Sequence, residues 1–216
     1  MNPTSTPKIK LQSPSETNLA TTVLDQELKT LLVTSPNSGA GVSSSAMVLA
    51  SELASSCRGK VLLVDACLSK NSLTSQLESK QHPGFLELTL ADPPPTLESC
   101  IINSPDQLFD IMPLGDHQRH TQRLAPDTLH QTLARLTEVY RFIIIDGSAI
   151  YADNSMDTLA LSAVVDGVVL VVRAEDTRWE VAQAAVQRLN QAGAKVIGSV
   201  LNARRYYMPK WLYDLL

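Results

Sequence analysis

Six short segments of this chain are apolar at nearly every position: residues 31–34, 61–65, 109–113, 142–146, 168–173 and 196–201. Val61-Leu62-Leu63-Val64 and Phe142-Ile143-Ile144-Ile145 show no alternation of apolar and polar side chains. A strand wet on one face alternates, so continuous runs of this length read as parallel strands covered on both faces. Between them, residues 43–56, 127–140 and 177–192 read as helices, and the last stops at Gly193, a residue suited to the left-handed position that ends a helix. A shorter helix is expected over 16–27. Strands alternating with helices predict a doubly wound α/β domain, a mostly parallel sheet flanked by helices on both faces. Residues 1–15, rich in Pro, Ser and Thr, read as a flexible lead-in. Asp92-Pro93-Pro94-Pro95 reads as a rigid surface loop. The expected organisation is a lead-in, a domain over 16–203 and a distinct C-terminal segment over 204–216.

The connection after the first apolar run carries the chemistry. Thr34-Ser35-Pro36-Asn37-Ser38-Gly39-Ala40-Gly41-Val42-Ser43-Ser44-Ser45 places two glycines and a row of hydroxyls between a strand and a helix. That layout aims backbone N–H groups at a phosphate. Alone it is weak evidence, since an ordinary connection has similar residues, and Ser44 stands where a dinucleotide fingerprint needs its third glycine. Two further segments point the same way. The runs 61–65 and 142–146 end in Asp65 and Asp146. A carboxylate at the carboxyl end of such a strand faces the ligand crevice and can hold Mg²⁺. Either aspartate by itself reads equally well as a cap on the next helix. Two of them together with the glycine loop favour a nucleotide-type site.

Composition narrows the class. A chain of 216 residues with 44% apolar residues is long enough for one sizeable core. A formal charge of −4 gives no basis for nucleic-acid binding. No apolar run approaches the roughly 20 residues that span a bilayer, and the first residues lack a signal peptide's apolar stretch. A cytoplasmic location is therefore expected. Cys57, Cys67 and Cys100 lack metal-ligand spacing and read as reduced thiols. His82, His117, His120 and His130 read as surface residues.

Residues 34–53 resemble the deviant Walker A segment of the ParA/MinD-like P-loop ATPases, and most closely that of the bacterial tyrosine kinases (BY-kinases) of polysaccharide export. Residues 61–73 resemble the Walker A′ segment of that family and 140–146 its Walker B. Residues 165–174 and 192–202 follow it as well, so the resemblance spans about 31–202. It implies a P-loop NTPase-like three-layer fold. It implies ATP or ADP with Mg²⁺ as ligands. Gly39, Gly41, Ser43 and Ser44 would lie around the phosphates, Asp65 and Asp146 around the metal, and Asn202 near the adenine.

The departures from the family pattern shape the expected function. Val42 stands where the family has its phosphate lysine, and Cys67 where Walker A′ has a second aspartate. Ser69 replaces an arginine, Gly147-Ser148-Ala149 replaces Thr-Pro-Pro, and residues 16–21 lack the arginines that pack BY-kinase rings. Removing one electrostatic stabiliser typically costs about 10²–10³ in rate, and phosphoryl transfer depends almost wholly on such groups. Nucleotide binding is thus expected to be weak or absent, with Asp65 and Asp146 vestigial as catalytic residues. Lys60 and Lys70, near in sequence, are candidates for a substitute cation, although nothing in their spacing points to that role. The tail 204–216 gathers four aromatics and three cations in a chain that is only 5% aromatic. Tyr206, Tyr207, Trp211 and Tyr213 are therefore expected to form an interaction surface. By the resemblance, its partner is the cytoplasmic segment of a membrane polysaccharide co-polymerase, met at the inner membrane face, with a homo-oligomer as a further expectation. The reading is a catalytically degenerate BY-kinase-like partner or regulator of exopolysaccharide export. Its alternatives are an active tyrosine autokinase or ATPase with a substitute cation, and a nucleotide-gated positioning protein.

Overall fold

The computed structural model describes residues 19–56, 58–67, 72–76, 82–102, 108–116, 123–152 and 158–203. Strands β1 (Thr30–Thr34), β2 (Val61–Ala66), β3 (Asp110–Met112), β4 (Phe142–Gly147), β5 (Gly167–Arg173) and β6 (Val196–Asn202) lie within one residue of the six apolar runs. They form a single sheet in the order β3-β2-β4-β1-β5-β6. Every neighbouring pair is parallel.

Seven helices join these strands among the described residues: α1 (Leu19–Asp25), α2 (Val42–Ser56), α3 (Leu73–Gln76), α4 (Phe85–Leu90), α5 (Pro126–Val139), α6 (Thr158–Val164) and α7 (Trp179–Gln191). The long ones, α2, α5 and α7, match the helices expected from the sequence. α5 opens on Pro126, whose missing N–H costs nothing in a first turn. α7 ends as Gly193 suggests: Gly193 has φ +86 and its N–H donates to the Asn190 carbonyl at 3.0 Å. α1 covers residues 19–25 of the expected 16–27 helix, of which 16–18 lie outside the described residues.

The strands are apolar on both sides because both sides are covered. Leu32, Leu62, Val64, Ile143, Ile145, Val168 and Leu170 pack with Phe85 of α4, Leu129 and Leu133 of α5, Leu161 of α6 and Ala185 of α7. Their immediate neighbours Leu31, Val33, Leu63, Ile144, Val169 and Val171 point the other way. They pack with Val23 of α1 and Ala46, Leu49 and Leu53 of α2. Each fully buried Leu, Ile or Val contributes about 1.5–3 kcal/mol relative to exposure, so these two clusters hold the three layers together. The period of two then places Asp65 and Asp146 on the α2 side of the sheet.

The strand order also fixes where a ligand fits. β1 has β4 on one side and β5 on the other, while its chain continues through α2 to β2 beyond β4. The carboxyl edge of β1 is thus the point where the connections diverge, and open α/β sheets bind ligands there.

Candidate functional site

The turn from β1 into α2 is held on two sides. On the β4 side, the Ile150 N–H donates to the Ser35 carbonyl at 2.8 Å and the Tyr151 N–H to the Pro36 carbonyl at 3.1 Å. The Thr34 hydroxyl donates to the Ser148 carbonyl at 2.7 Å. On the other side, Asn202 at the end of β6 donates from Nδ2 to the Ala40 carbonyl at 2.8 Å. Arg173 at the end of β5 donates from Nη1 to the Gly39 carbonyl at 3.3 Å. In a trans peptide the C=O and the following N–H point in opposite directions. Holding the carbonyls of Gly39 and Ala40 toward β5 and β6 therefore turns the N–H groups of Ala40 and Gly41 the other way.

The glycines permit this path. Gly39 and Gly41 have φ of +82 and +89, a region L side chains rarely adopt. A Cβ at Gly41 would also fall 2.0 Å from Asn202 Nδ2, so the carboxamide can lie on the loop only because residue 41 has no side chain. The helix starts immediately afterwards at Val42. Its first N–H groups have no partners within the helix and add a partial positive charge to the same place. Ser44 is exposed and Ser43 half-buried in this first turn. The Val42 side chain packs against the cluster on the α2 face of the sheet.

Asp65 and Asp146 look alike in sequence and differ in the fold. They are register partners on adjacent strands, and both are fully buried. Asp65 is engaged. Its Oδ1 accepts from the Cys67 N–H at 2.9 Å. Its Oδ2 accepts from the N–H and the hydroxyl of Thr74, each at 2.6 Å. Thr74 in turn accepts from the Leu114 N–H at 2.8 Å, so this carboxylate ties β2, the start of α3 and the segment after β3 into one knot. Burial still raises its pKa, and those hydrogen bonds oppose the rise.

Asp146 has no such partners: neither carboxylate oxygen makes a hydrogen bond. Burial pushes its pKa up to about 7. The nearby Ser43 hydroxyl offsets part of that rise, while the neighbouring Asp65 adds to it. A fully buried carboxyl with both oxygens free is costly unless a cation or donor completes it. Here it stands beside the first turn of α2.

The structure brings Gly39, Gly41, Ser43, Ser44, Asp146 and Asn202 to one edge of the sheet around the turn. Asp65 lies beside them with its oxygens already used. Asn202 is turned onto the loop, its Nδ2 on Ala40 and its Oδ1 accepting from the Ala203 N–H at 2.8 Å. Cys67 follows β2 and is half-buried, and Cys100 is buried. Lys60 precedes β2, and its carbonyl accepts from the Arg141 N–H at 2.9 Å. It therefore sits at the amino edge, about 20 Å from the turn for a strand of this length. Among the described residues no cluster of three or more His, Cys, Asp or Glu side chains is placed to hold a metal. His82 is half-buried with Nδ1 2.8 Å from the Pro83 carbonyl, and His130 is exposed. Cys57, Ser69, Lys70, His117, His120 and the tail residues Tyr206, Tyr207, Trp211 and Tyr213 lie outside the described residues, as do 1–18. Two contributors were not singled out from the sequence. Thr74 carries no signal, and Arg173 shares its signal with the aspartates, a charged residue closing an apolar run.

The chain is 27% identical over 190 residues to tyrosine-protein kinase YwqD of Bacillus subtilis, covering 88% of this chain and 78% of that protein. The crystal structure of the VpsO kinase domain superposes with a TM-score of 0.72 at 28% identity, over 87% of this chain and 92% of that one. The chain is thus similar to bacterial tyrosine kinase (BY-kinase) domains in sequence and shares their P-loop-type fold. The ATP complex of a McdA variant from Cyanothece shares the BY-kinase-like fold at a TM-score of 0.60 and 22% identity, covering 80% of this chain and 68% of that one. No protein-family model matches the BY-kinase-like chain. Among its described residues no helix is long and apolar enough to cross a membrane.

Proposed function

We propose that this chain is a catalytically degenerate relative of the bacterial tyrosine kinases. It retains a weak nucleotide-phosphate site and acts as a partner or regulator in exopolysaccharide assembly and export. One observation carries the proposal. The residue that opens α2, where the related kinases have a lysine, is Val42, and its side chain is spent on packing against the core. A valine there supplies no charge to a transferring phosphoryl group, and that charge is central to the reaction. The engagement of Asp65 by Cys67 and Thr74, and the cysteine at position 67, support the same reading.

The residues present still fit a nucleotide phosphate with a divalent cation. Asp146 offers two unpartnered, fully buried oxygens, and the positive φ of Gly39 and Gly41 sets a turn whose Ala40 and Gly41 N–H groups face away from Arg173 and Asn202. The N–H groups of residues 40–44 would hold the phosphate, and Ser43 with Asp146 would hold Mg²⁺. When bound, Mg²⁺ supplies charge neutralisation between phosphate and carboxylate. Asp146 would then be ionised by its cation, and Asn202 would keep the loop closed around the phosphate.

The expected partner is the cytoplasmic segment of a membrane polysaccharide co-polymerase, an assignment that rests on the family resemblance and on the aromatic, basic tail. A second reading, an active tyrosine autokinase with a substitute cation, draws on Arg173 beside Gly39. Mixing the chain with that cytoplasmic segment and Mg-ATP separates the two. The degenerate reading expects complex formation with no phosphotyrosine on either protein. Phosphotyrosine that appears with the wild type and is lost in Asp146→Ala overturns it.

A further inference from the structure

We propose that Arg173 is the cation of the phosphate site, reaching it from the end of β5 in place of a lysine inside the loop. The inference rests on the reading of this turn as a phosphate cradle. It assigns the site a nucleoside diphosphate or triphosphate whose phosphates are gripped from the rim.

Position supports it first. Lys29, Lys60, Arg141 and Lys195 precede β1, β2, β4 and β6 and lie at the amino edge of the sheet. Arg123 precedes α5 and Arg178 precedes α7, and among the described residues neither is hydrogen-bonded to the turn. The Arg188 guanidinium sits over the Tyr151 ring, 5.5 Å from its centroid. Among the described residues, Arg173 is the cation whose head group bonds the loop. It does so because β5 pairs directly with β1, which sets the last residue of β5 beside the turn that follows β1.

Chemistry supports it second. The bond to the Gly39 carbonyl is 3.3 Å long, beyond the usual 2.9–3.0 Å, so a charged acceptor competes with it easily. A guanidinium has five N–H donors in a planar fork, and this one is exposed and paired with no carboxylate among the described residues. Released from the Gly39 carbonyl, which faces away from the N–H groups of the turn, it can swing around the rim to a phosphate oxygen. Gly39 itself puts no side chain in its way, and the Cβ position there is an ordinary 3.8 Å contact from Nη1. Asp146 is the independent sign that the turn is built around a ligand, being buried beside it with no partner for either oxygen.

A cation at the rim adds a charge-assisted contact to a bound phosphate, the contribution a loop lysine would otherwise make.

The test is calorimetry of the full-length chain with ADP, pyrophosphate and adenosine, for the wild type, Arg173→Gln and Arg173→Lys. Loss of one charge-assisted contact weakens binding about ten- to a hundredfold. Arg173→Gln should lose that much affinity for ADP and pyrophosphate while keeping wild-type affinity for adenosine. Arg173→Lys should recover part of the loss, because it restores the charge but not the fork. A wild-type preference for ADP over adenosine that survives intact in Arg173→Gln overturns the role of Arg173 and leaves the cradle standing. Equal loss of ADP and adenosine makes Arg173 a brace on the loop and likewise overturns it. A wild type that binds ADP no better than adenosine overturns the cradle itself.

Discussion

Replacing Asp146 by asparagine should stabilise this protein at alkaline pH, although it alters a fully buried polar residue. The carboxyl is shut off from solvent, has no hydrogen-bond partner for either oxygen, and faces a second carboxylate one strand away. Together these lift its pKa from 3.8 to about 7. At about 1.36 kcal/mol per pH unit, that rise corresponds to about 4 kcal/mol. The sign follows from proton linkage. Between pH 4 and 7 the folded state keeps a proton that the unfolded chain has released, so stability falls as pH rises. Below about pH 4 nothing is lost, and above about pH 7 the full amount is lost. Asparagine has nearly the same shape and never ionises. Its amide would be unpartnered too, at a cost of about 1–3 kcal/mol. The net gain at pH 8.5 is therefore about 1–3 kcal/mol, or about 2–10 °C in melting temperature for a chain of this size. Thermal melts and urea titrations of both proteins from pH 5 to 9, without divalent cations, read it directly. The two curves should converge near pH 5 and separate above pH 7. Parallel curves, or an asparagine variant less stable at every pH, would refute the assignment of Asp146 as the uncompensated charge of this fold.

Gly41→Ala forces a side chain into φ +89 and against the Asn202 carboxamide, so it should cost about 1–3 kcal/mol in urea unfolding and remove detectable ADP binding. Val42→Lys should raise ADP affinity about tenfold or more by calorimetry without restoring transfer, because position 67 still lacks a carboxylate. Adding Cys67→Asp to it should do more than the separate effects combined. Deleting residues 206–216 should abolish binding to the co-polymerase segment in a pull-down while the melting curve of the domain is unchanged.

Much of the fold could be read from the chain because parallel strands buried on both faces leave uninterrupted apolar runs, as in β2 and β4. The long helices showed for a similar reason, each having enough turns to display a period. α3, α4 and α6, of 4, 6 and 7 residues, are too short for that. α4 is set instead by Glu87, whose side chain reaches back to accept from the Gly84 N–H at 2.8 Å. The site was half legible. Its glycines and hydroxyls mark a turn of the kind that suits an anion. Asp65 and Asp146 present the same local pattern, yet Thr74, nine residues on, engages one and leaves the other bare. Arg173 bonds the turn only because β5 lies next to β1, and strand order is set by the whole sheet rather than by the residues around position 173.

The central claim, a nucleotide site without phosphoryl transfer, is tested most directly by phosphate release from Mg-ATP. The purified full-length chain would be assayed with Asp146→Ala as control and with calorimetry confirming occupancy. The account predicts weak binding and a release rate equal to that of the buffer. Steady release by the wild type that disappears in Asp146→Ala would contradict it.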